Sequence, residues 1–345
     1  MSIRFTHQDT DLFCKQVIRL VDPLIKEILN LSVDENRQRL VNYQVASGGK
    51  RLRPALAIAS CLACGGEVED ALYPAAGLEI LHNCTLIYDD MIDNSSLRRA
   101  KSTVWYKFGK SVAQCIGVDY SAAIFQAANR SRYPIEICEI FARTMKTVAE
   151  GEILDILFEQ RGRDDEKYVV SHRYREVTRE DYLQMISQKT ASLVQASCEV
   201  GAISAGAEEI KIEALKRYGF SLGLAFQITD DILDIFGEEQ EFGKKIGNDI
   251  EASKLGNIVI LQALEELGSG GKHKELSAIL SKNNIEDRDI QRAIKVISKT
   301  GAKENSLLLQ EEYVTKAKSS LHEIPGNKWT ELLARMADFV IERNR

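Results

Sequence analysis

The chain writes Ile87-Tyr88-Asp89-Asp90-Met91-Ile92-Asp93 and, far downstream, Ile228-Thr229-Asp230-Asp231-Ile232-Leu233-Asp234. Each is an Asp-Asp-x-x-Asp set in apolar sequence. On an α-helix the first and last carboxylates of such a motif share a face, one turn above the other, within reach of one ion. Leu86, Ile87, Met91 and Ile92 around the first copy, and Ile228, Ile232 and Leu233 around the second, turn both helices toward a core. Carboxylates there are costly unless something cationic compensates them. Carboxylate pairs with no His or Cys interleaved suit hard divalent ions such as magnesium, which keep several waters and bridge to phosphates. The duplicated motif therefore predicts a magnesium and diphosphate site built on helices.

Composition points the same way. With 345 residues, 44% hydrophobic content, 7% aromatic residues and 5 prolines, the chain can bury a large core and has few breakers of helix. Apolar residues recur at helical spacing from Leu12, Val17, Leu20, Val21 and Leu24 to Leu332, Leu333, Met336, Phe339 and Val340. The fold class is all-α. Breaks fall at Ser47-Gly48-Gly49, Asn129 to Pro134, Arg161 to Lys167, Gly237 to Asn248 and Gly268 to Gly271, and Ala207 to Gly237 reads as one long helix ending in the second motif. None of these breaks resembles a flexible linker, so residues 1–345 read as a single domain. Lys and Arg total 45 against 51 Asp and Glu, a formal charge of −6, which argues against a nucleic-acid partner. Seven cysteines in mostly apolar helical stretches and an N-terminus without an apolar signal core suggest a reduced, cytoplasmic protein. Charges interrupt the longest apolar stretches, so no integral membrane segment is expected.

The cations are clustered. Gly48-Gly49-Lys50-Arg51-Leu52-Arg53-Pro54 joins a glycine pair to three positive charges and a proline suited to a helix's first turn. Backbone N–H groups with Lys and Arg side chains at a helix start make a phosphate pocket, the alternative being a solvated basic turn. Arg98-Arg99 follows the first motif closely enough to share a ligand with its carboxylates. Lys189-Thr190 lies in another apolar helix, and Lys244 and Lys254 follow the second motif.

These residues resemble the trans-isoprenyl diphosphate synthases, also called polyprenyl synthetases. Gly48 to Pro54 stands as the family writes its isopentenyl diphosphate motif, and Asp89 to Asp93 followed by Arg98-Arg99 matches its first aspartate-rich region. Tyr182-Leu-Gln-Met-Ile-Ser-Gln-Lys189-Thr190-Ala191 and Phe226-Gln227-Ile-Thr-Asp230-Asp231-Ile-Leu-Asp234 match two further blocks. Ordered motifs along nearly the whole chain are far more specific than any one of them. The resemblance implies a large bundle of mostly antiparallel helices around a deep central cavity, with the two Asp motifs at its mouth, in a homodimer.

It also implies roles. Asp89, Asp93 and Asp230, supported by Asp90, Asp231 and Asp234, would hold magnesium ions, three per site in the family with manganese as a substitute, on the diphosphate of an allylic substrate. Arg98, Lys189, Lys244 and Lys254 would neutralise that diphosphate. Gly49, Lys50, Arg53, His82 and Arg99 would hold isopentenyl diphosphate; His82 lies two helical turns before Asp89, on the motif's face. The allylic carbon–oxygen bond ionises, the isopentenyl double bond attacks, and the departing diphosphate takes the proton. The Thr190 hydroxyl and Gln227 amide would face the cation. The product would be a longer all-trans polyprenyl diphosphate.

Some positions depart from the family pattern. Ala100 and Ser102 stand where the family often has Gly and Pro, Val118 precedes Asp119 in place of Gly, and Ser253 stands where a Gly usually precedes the lysine at 254, making Lys254 the loosest match. Tyr88 replaces His before the first Asp pair. For product length, Cys84 and Thr85 lie one turn before Asp89 and are small, where aromatic residues in the family correlate with products of fifteen carbons or fewer. Since a helix turn rises about 5 Å, comparable to one isoprene unit, Leu81 and Leu78 would line deeper levels and admit a product of about twenty to thirty carbons. Two other classes stay in view: a terpene cyclase on a related fold, disfavoured by the Gly49-Lys50-Arg53 pocket, and a non-catalytic regulatory subunit, disfavoured by intact Asp motifs. Cys61 and Cys64 lack further ligands for zinc and read as packing.

Overall fold

The computed structural model describes residues 9–237, 246–282 and 284–342. Helix makes up 76% of the described residues, as the apolar spacing predicts. The helices are α1 (Thr10–Leu29), α2 (Gln38–Val41), α3 (Leu52–Ala63), α4 (Val68–Ile92), α5 (Val104–Phe108), α6 (Lys110–Ala128), α7 (Pro134–Phe158), α8 (Lys167–His172), α9 (Arg179–Ile186), α10 (Ser192–Ser204) and α11 (Glu209–Phe236). Beyond them come α12 (Asn248–Glu251), α13 (Ile258–Leu267), α14 (Gly271–Leu280), α15 (Asp287–Ile297), α16 (Ala302–Ser320) and α17 (Lys328–Glu342). The breaks read at 47–49, 129–134, 161–167 and 268–271 fall between these helices, while most of the break at 237–248 lies outside the described residues. The long helix expected over 207–237 is α11. Sequence pattern does not flag a small antiparallel hairpin, Leu97–Arg98 with Lys101–Ser102, directly after the first Asp motif.

Two compact units emerge, one drawn from Met1–Lys146, Leu193–Gly219 and Ala317–Met336, the other from Thr147–Ser192, Phe220–Lys316 and Ala337–Arg345. In the first, α1 begins at Asp9, whose carboxylate accepts the Asp11 and Leu12 N–H groups, and buries Phe13, Val17, Val21 and Ile25 at four-residue spacing. The alanine-rich α3 is buried almost all round. Between α1, α3 and α6 runs α4, started by a reciprocal Glu67–Asp70 capping box. Gly77 of α4 admits the Phe141 ring, which a Cβ would meet at 2.8 Å. Each Leu, Ile or Phe fully buried in this way contributes about 1.5–3 kcal/mol.

The second unit closes on its own core. Phe158, Tyr182, Met185 and Ile186 pack with Ile228, Ile232 and Ile235 of α11 and with Ile258, Val259 and Ile260 of α13. The isoleucines that bracket the second Asp motif in sequence are thus its anchors, and between them they fix which carboxylates turn outward. Between α9 and α10 the backbone widens into a π-helical turn, Ser187–Ala191.

Candidate active site

In the first unit, α4 ends at the motif itself: Asp93 is its C-cap, and the Asp93 N–H donates to the Asp89 carbonyl at 2.8 Å. Asp89 and Asp93 keep accessible surface, whereas Asp90 is buried. Arg98, returned by the hairpin, grips both acids of the pair, its Nε donating to Asp90 Oδ1 at 2.8 Å and its Nη2 to Asp89 Oδ2 at 2.9 Å. Asp90 Oδ2 is buried without a hydrogen-bond partner. Burial pushes the Asp90 carboxyl up to about 6 against the pull of Arg98.

The same hairpin reaches the glycine-rich loop. Arg99 donates to the Gly48 carbonyl, Lys101 Nζ to the Ala46 carbonyl at 3.0 Å, and Tyr43 Oη to the Ser102 carbonyl at 2.9 Å. Gly49 has a φ of +138°, a backbone conformation that other residues take only with strain, and its Cα side faces the Arg99 guanidinium. Lys50 is exposed and Arg53 half-buried. His82 sits half-buried on α4; burial, then the charges of Arg53, Arg99, Arg98 and Arg51, hold its pKa well below the usual imidazole value. Residues far apart in sequence thus bring four guanidinium groups to act on one imidazole.

Further down α4, Cys84 is buried with its Sγ 3.5 Å from the Gly117 carbonyl and 3.7 Å from Ser121 Oγ on α6. Thr85 Oγ1 donates to the His82 carbonyl at 2.8 Å and keeps partial exposure. Leu81 and Leu78 have no accessible surface and are core residues of this unit. These are the two leucines that the sequence reading sets at deeper levels below the first motif.

In the second unit Asp230 is the partly exposed acid of its motif, and Asp231 and Asp234 are buried. Asp231 accepts three hydrogen bonds, from Tyr182 Oη at 2.8 Å, the Ile258 N–H at 3.0 Å and Gln227 Nε2 at 3.0 Å. Burial and then Asp249 hold its carboxyl well above the usual range. Asp234 accepts the Asn248 and Asp249 N–H groups at 3.1 and 3.2 Å, fixing the start of α12. Thr190 Oγ1 donates to Gln227 Oε1 at 2.8 Å, which ties the π-helical turn to α11.

Lys189, inside that turn, reaches back to α7, where its Nζ lies 2.7 Å from Glu152 Oε2 and 2.6 Å from Asp155 Oδ2. Lys254 Nζ lies 3.1 Å from the same Asp155 oxygen and 3.9 Å from Glu159. Backbone bonds bring it there: the Gln160 N–H donates to the Ser253 carbonyl and the Leu255 N–H to the Phe158 carbonyl. Burial would raise the Asp155 pKa, but Lys189 and Lys254 prevail and hold it well below the usual carboxylate range. Glu152, Asp155 and Glu159 were missed in the sequence. Their three- and four-residue spacing, with Gly151 beside them, marks one helix face and was the available signal. Lys244 lies outside the described residues.

The polyprenyl synthetase family model matches residues 34–297. The chain is 32% identical over 327 residues to a short chain isoprenyl diphosphate synthase of Methanothermobacter thermautotrophicus, covering 94% of this chain and 95% of that one. It is 33% identical over 345 residues to a geranylgeranyl diphosphate synthase of Saccharolobus solfataricus, covering 98% and 99%. A solved polyprenyl synthase from Caulobacter crescentus, complexed with calcium and isoprenyl diphosphate, is similar with a TM-score of 0.85 at 30% identity, over 99% of this chain and all of that one. With motifs, all-helical fold and whole-length relatives in agreement, the chain belongs to the polyprenyl synthetase family of prenyltransferases.

Proposed function

We propose that this prenyltransferase joins isopentenyl diphosphate head-to-tail to an allylic diphosphate and extends it to an all-trans product of twenty carbons or more. The observation that carries the reading is the set of arginine charges, Arg53 and Arg99 foremost, acting on His82 of the same helix that ends in the accessible carboxylates of Asp89 and Asp93. One polar region suits a bare diphosphate and the other a metal-bound one. A terpene cyclase has use for the second only.

Lys50, Arg53 and Arg99 bind the isopentenyl diphosphate, His82 donates to it as a neutral imidazole, and Gly49 lets the loop close on it. Asp89, Asp93 and Asp230 suit magnesium, which is held in proteins by one or two carboxylates with waters and substrate phosphates in the remaining places. When bound, magnesium neutralises charge on the leaving diphosphate. Asp90 acts by fixing Arg98 in the first unit, and Asp231 and Asp234 act in the second by holding Gln227 and the start of α12. Arg98, Lys189 and Lys254, with Lys244, bind the allylic diphosphate. The Thr190 and Gln227 dipoles stabilise the allylic cation, and the released diphosphate takes the proton. Small side chains at Cys84 and Thr85 support the length reading.

The reading includes three magnesium ions per site, manganese as a substitute, a homodimer, a single functional domain and a cytoplasmic setting. All seven cysteines are thiols, which suits a reducing compartment. No helix among the described residues is long and apolar enough to cross a membrane. The test is incubation with radiolabelled isopentenyl diphosphate and dimethylallyl, geranyl or farnesyl diphosphate, with and without magnesium, followed by chromatography of the dephosphorylated products. A magnesium-dependent ladder ending at one length is the expected result. Hydrocarbon released from the allylic diphosphate alone would mean a cyclase, and silence throughout a partner subunit.

A further inference from the structure

The glycine-rich loop carries three cations, and the proposed mechanism uses two. Arg51 differs from its neighbours in every respect. Its side chain is 2% exposed, and its backbone, at φ +50° and ψ +41°, takes the left-handed conformation at the N-cap of α3. That conformation costs a non-glycine residue about 1–2 kcal/mol, so something must hold it. A guanidinium has five N–H donors, and five acceptors meet it. Nε and Nη2 donate to Asp22 Oδ1 and Oδ2 of α1 at 2.8 and 3.3 Å. Nη1 donates to Glu79 Oε1 of α4 at 2.9 Å and to the Gly48 carbonyl at 3.0 Å, and Nη2 also donates to the Val45 carbonyl at 3.0 Å. No donor is left for a substrate.

The Gly48 carbonyl is the shared point, since it accepts from Arg51 on the buried side and from Arg99 on the exposed side. Glu79 is itself fixed by Asn83 Nδ2 at 2.9 Å. We propose that Arg51 is a positioning residue of the isopentenyl diphosphate site: it ties the 45–49 loop to α1 and α4, so that Lys50 and Arg99 are presented to the diphosphate in fixed geometry. The inference rests on the function proposed above.

Steady-state kinetics with isopentenyl and farnesyl diphosphates in magnesium buffer test it. Arg51→Lys keeps the charge but removes the planar fork. It should raise the KM for isopentenyl diphosphate about tenfold while leaving kcat and the farnesyl diphosphate KM within about twofold, since misplacing binding groups by a fraction of an ångström is enough. Asp22→Asn, which leaves the Arg51–Glu79 contact in place, should raise the same KM about threefold and decides the matter by the same split if Arg51→Lys does not fold. Lys50→Ala is the control for the site itself. If Lys50→Ala raises the isopentenyl diphosphate KM and neither Arg51→Lys nor Asp22→Asn does, the positioning role is overturned and the site stands. A fall in kcat with both KM values unchanged, the mark of a smaller folded fraction, overturns it equally. If Lys50→Ala also leaves that KM unchanged, the diphosphate site fails and the inference with it.

Discussion

Two family departures visible in the sequence gain a physical meaning from the backbone. Ala100 and Ser253 stand where the family usually has glycine, and both adopt left-handed backbone, with φ of +59° and +56°. Each takes a turn conformation that glycine adopts without strain. Ser253 is fully buried, and its Oγ has no hydrogen-bond partner. Ser253→Gly should therefore stabilise the chain. Relief of about 1–2 kcal/mol of backbone strain and of a buried unsatisfied hydroxyl outweighs the roughly 0.5–1 kcal/mol that glycine's extra unfolded-state freedom costs. The expected net gain is about 1 kcal/mol, read as a higher urea midpoint at constant m-value. Ala100 is exposed and leaves nothing unsatisfied, so Ala100→Gly should move the midpoint less. Equal midpoints for wild type and Ser253→Gly would show that the turn is not strained. The identity of these departures was legible in the sequence, but their cost was not, because φ at a single residue is set by the turn that surrounds it.

At the scale of elements, the junction of α7 with the π-helical turn decides where Lys189 points. π-turns inside helices recur at functional sites, and this one is accommodated by Gly151, where an added Cβ would lie 2.3 Å from the Lys189 backbone nitrogen. Gly151→Ala must push the two segments apart. The expected result is a loss of about 1–3 kcal/mol in stability and a higher KM for the allylic diphosphate at residual folded protein, measured by denaturant titration and kinetics together. A neutral outcome in both would mean that the turn is not held by this contact. Asp155→Asn should act differently. It leaves Lys189 with Glu152 and Lys254 with the more distant Glu159 as their remaining acids, so denaturant titration should show a lower stability, and an unchanged midpoint would mean that Asp155 does not hold the two lysines. What the sequence made legible here was the motif and its lysine. The widened turn was hidden because helical periodicity over 179–204 is nearly the same with or without one extra residue, and the acids of α7 were hidden because each alone reads as a solvated face. The hairpin at 97–102 escaped for a related reason, since two-residue strands are too short for an alternating pattern.

For the molecule as a whole, the all-α class was legible from composition and spacing, and the paired motifs from their repetition. Which of six aspartates stay accessible was not, because that depends on the rotation of each helix against its core. Asp89 and Asp230 belong to different compact units, so substituting one at a time tests each unit's share in the chemistry. Asp89→Ala and Asp230→Ala should each lower turnover by about a thousandfold or more, as loss of a group that stabilises developing charge does in other enzymes. The fold should survive in both. Asp89→Ala leaves the Arg98–Asp90 ion pair in place, and the chain's formal charge of −6 means that removing a carboxylate also lowers self-repulsion. Helicity by circular dichroism and the melting temperature should therefore stay near those of the wild type, while magnesium-dependent incorporation of isopentenyl diphosphate disappears. Normal turnover in either variant would remove that motif from the reaction. Lost turnover together with lost helicity would mean that the carboxylate serves the fold, as Asp231 and Asp234 do.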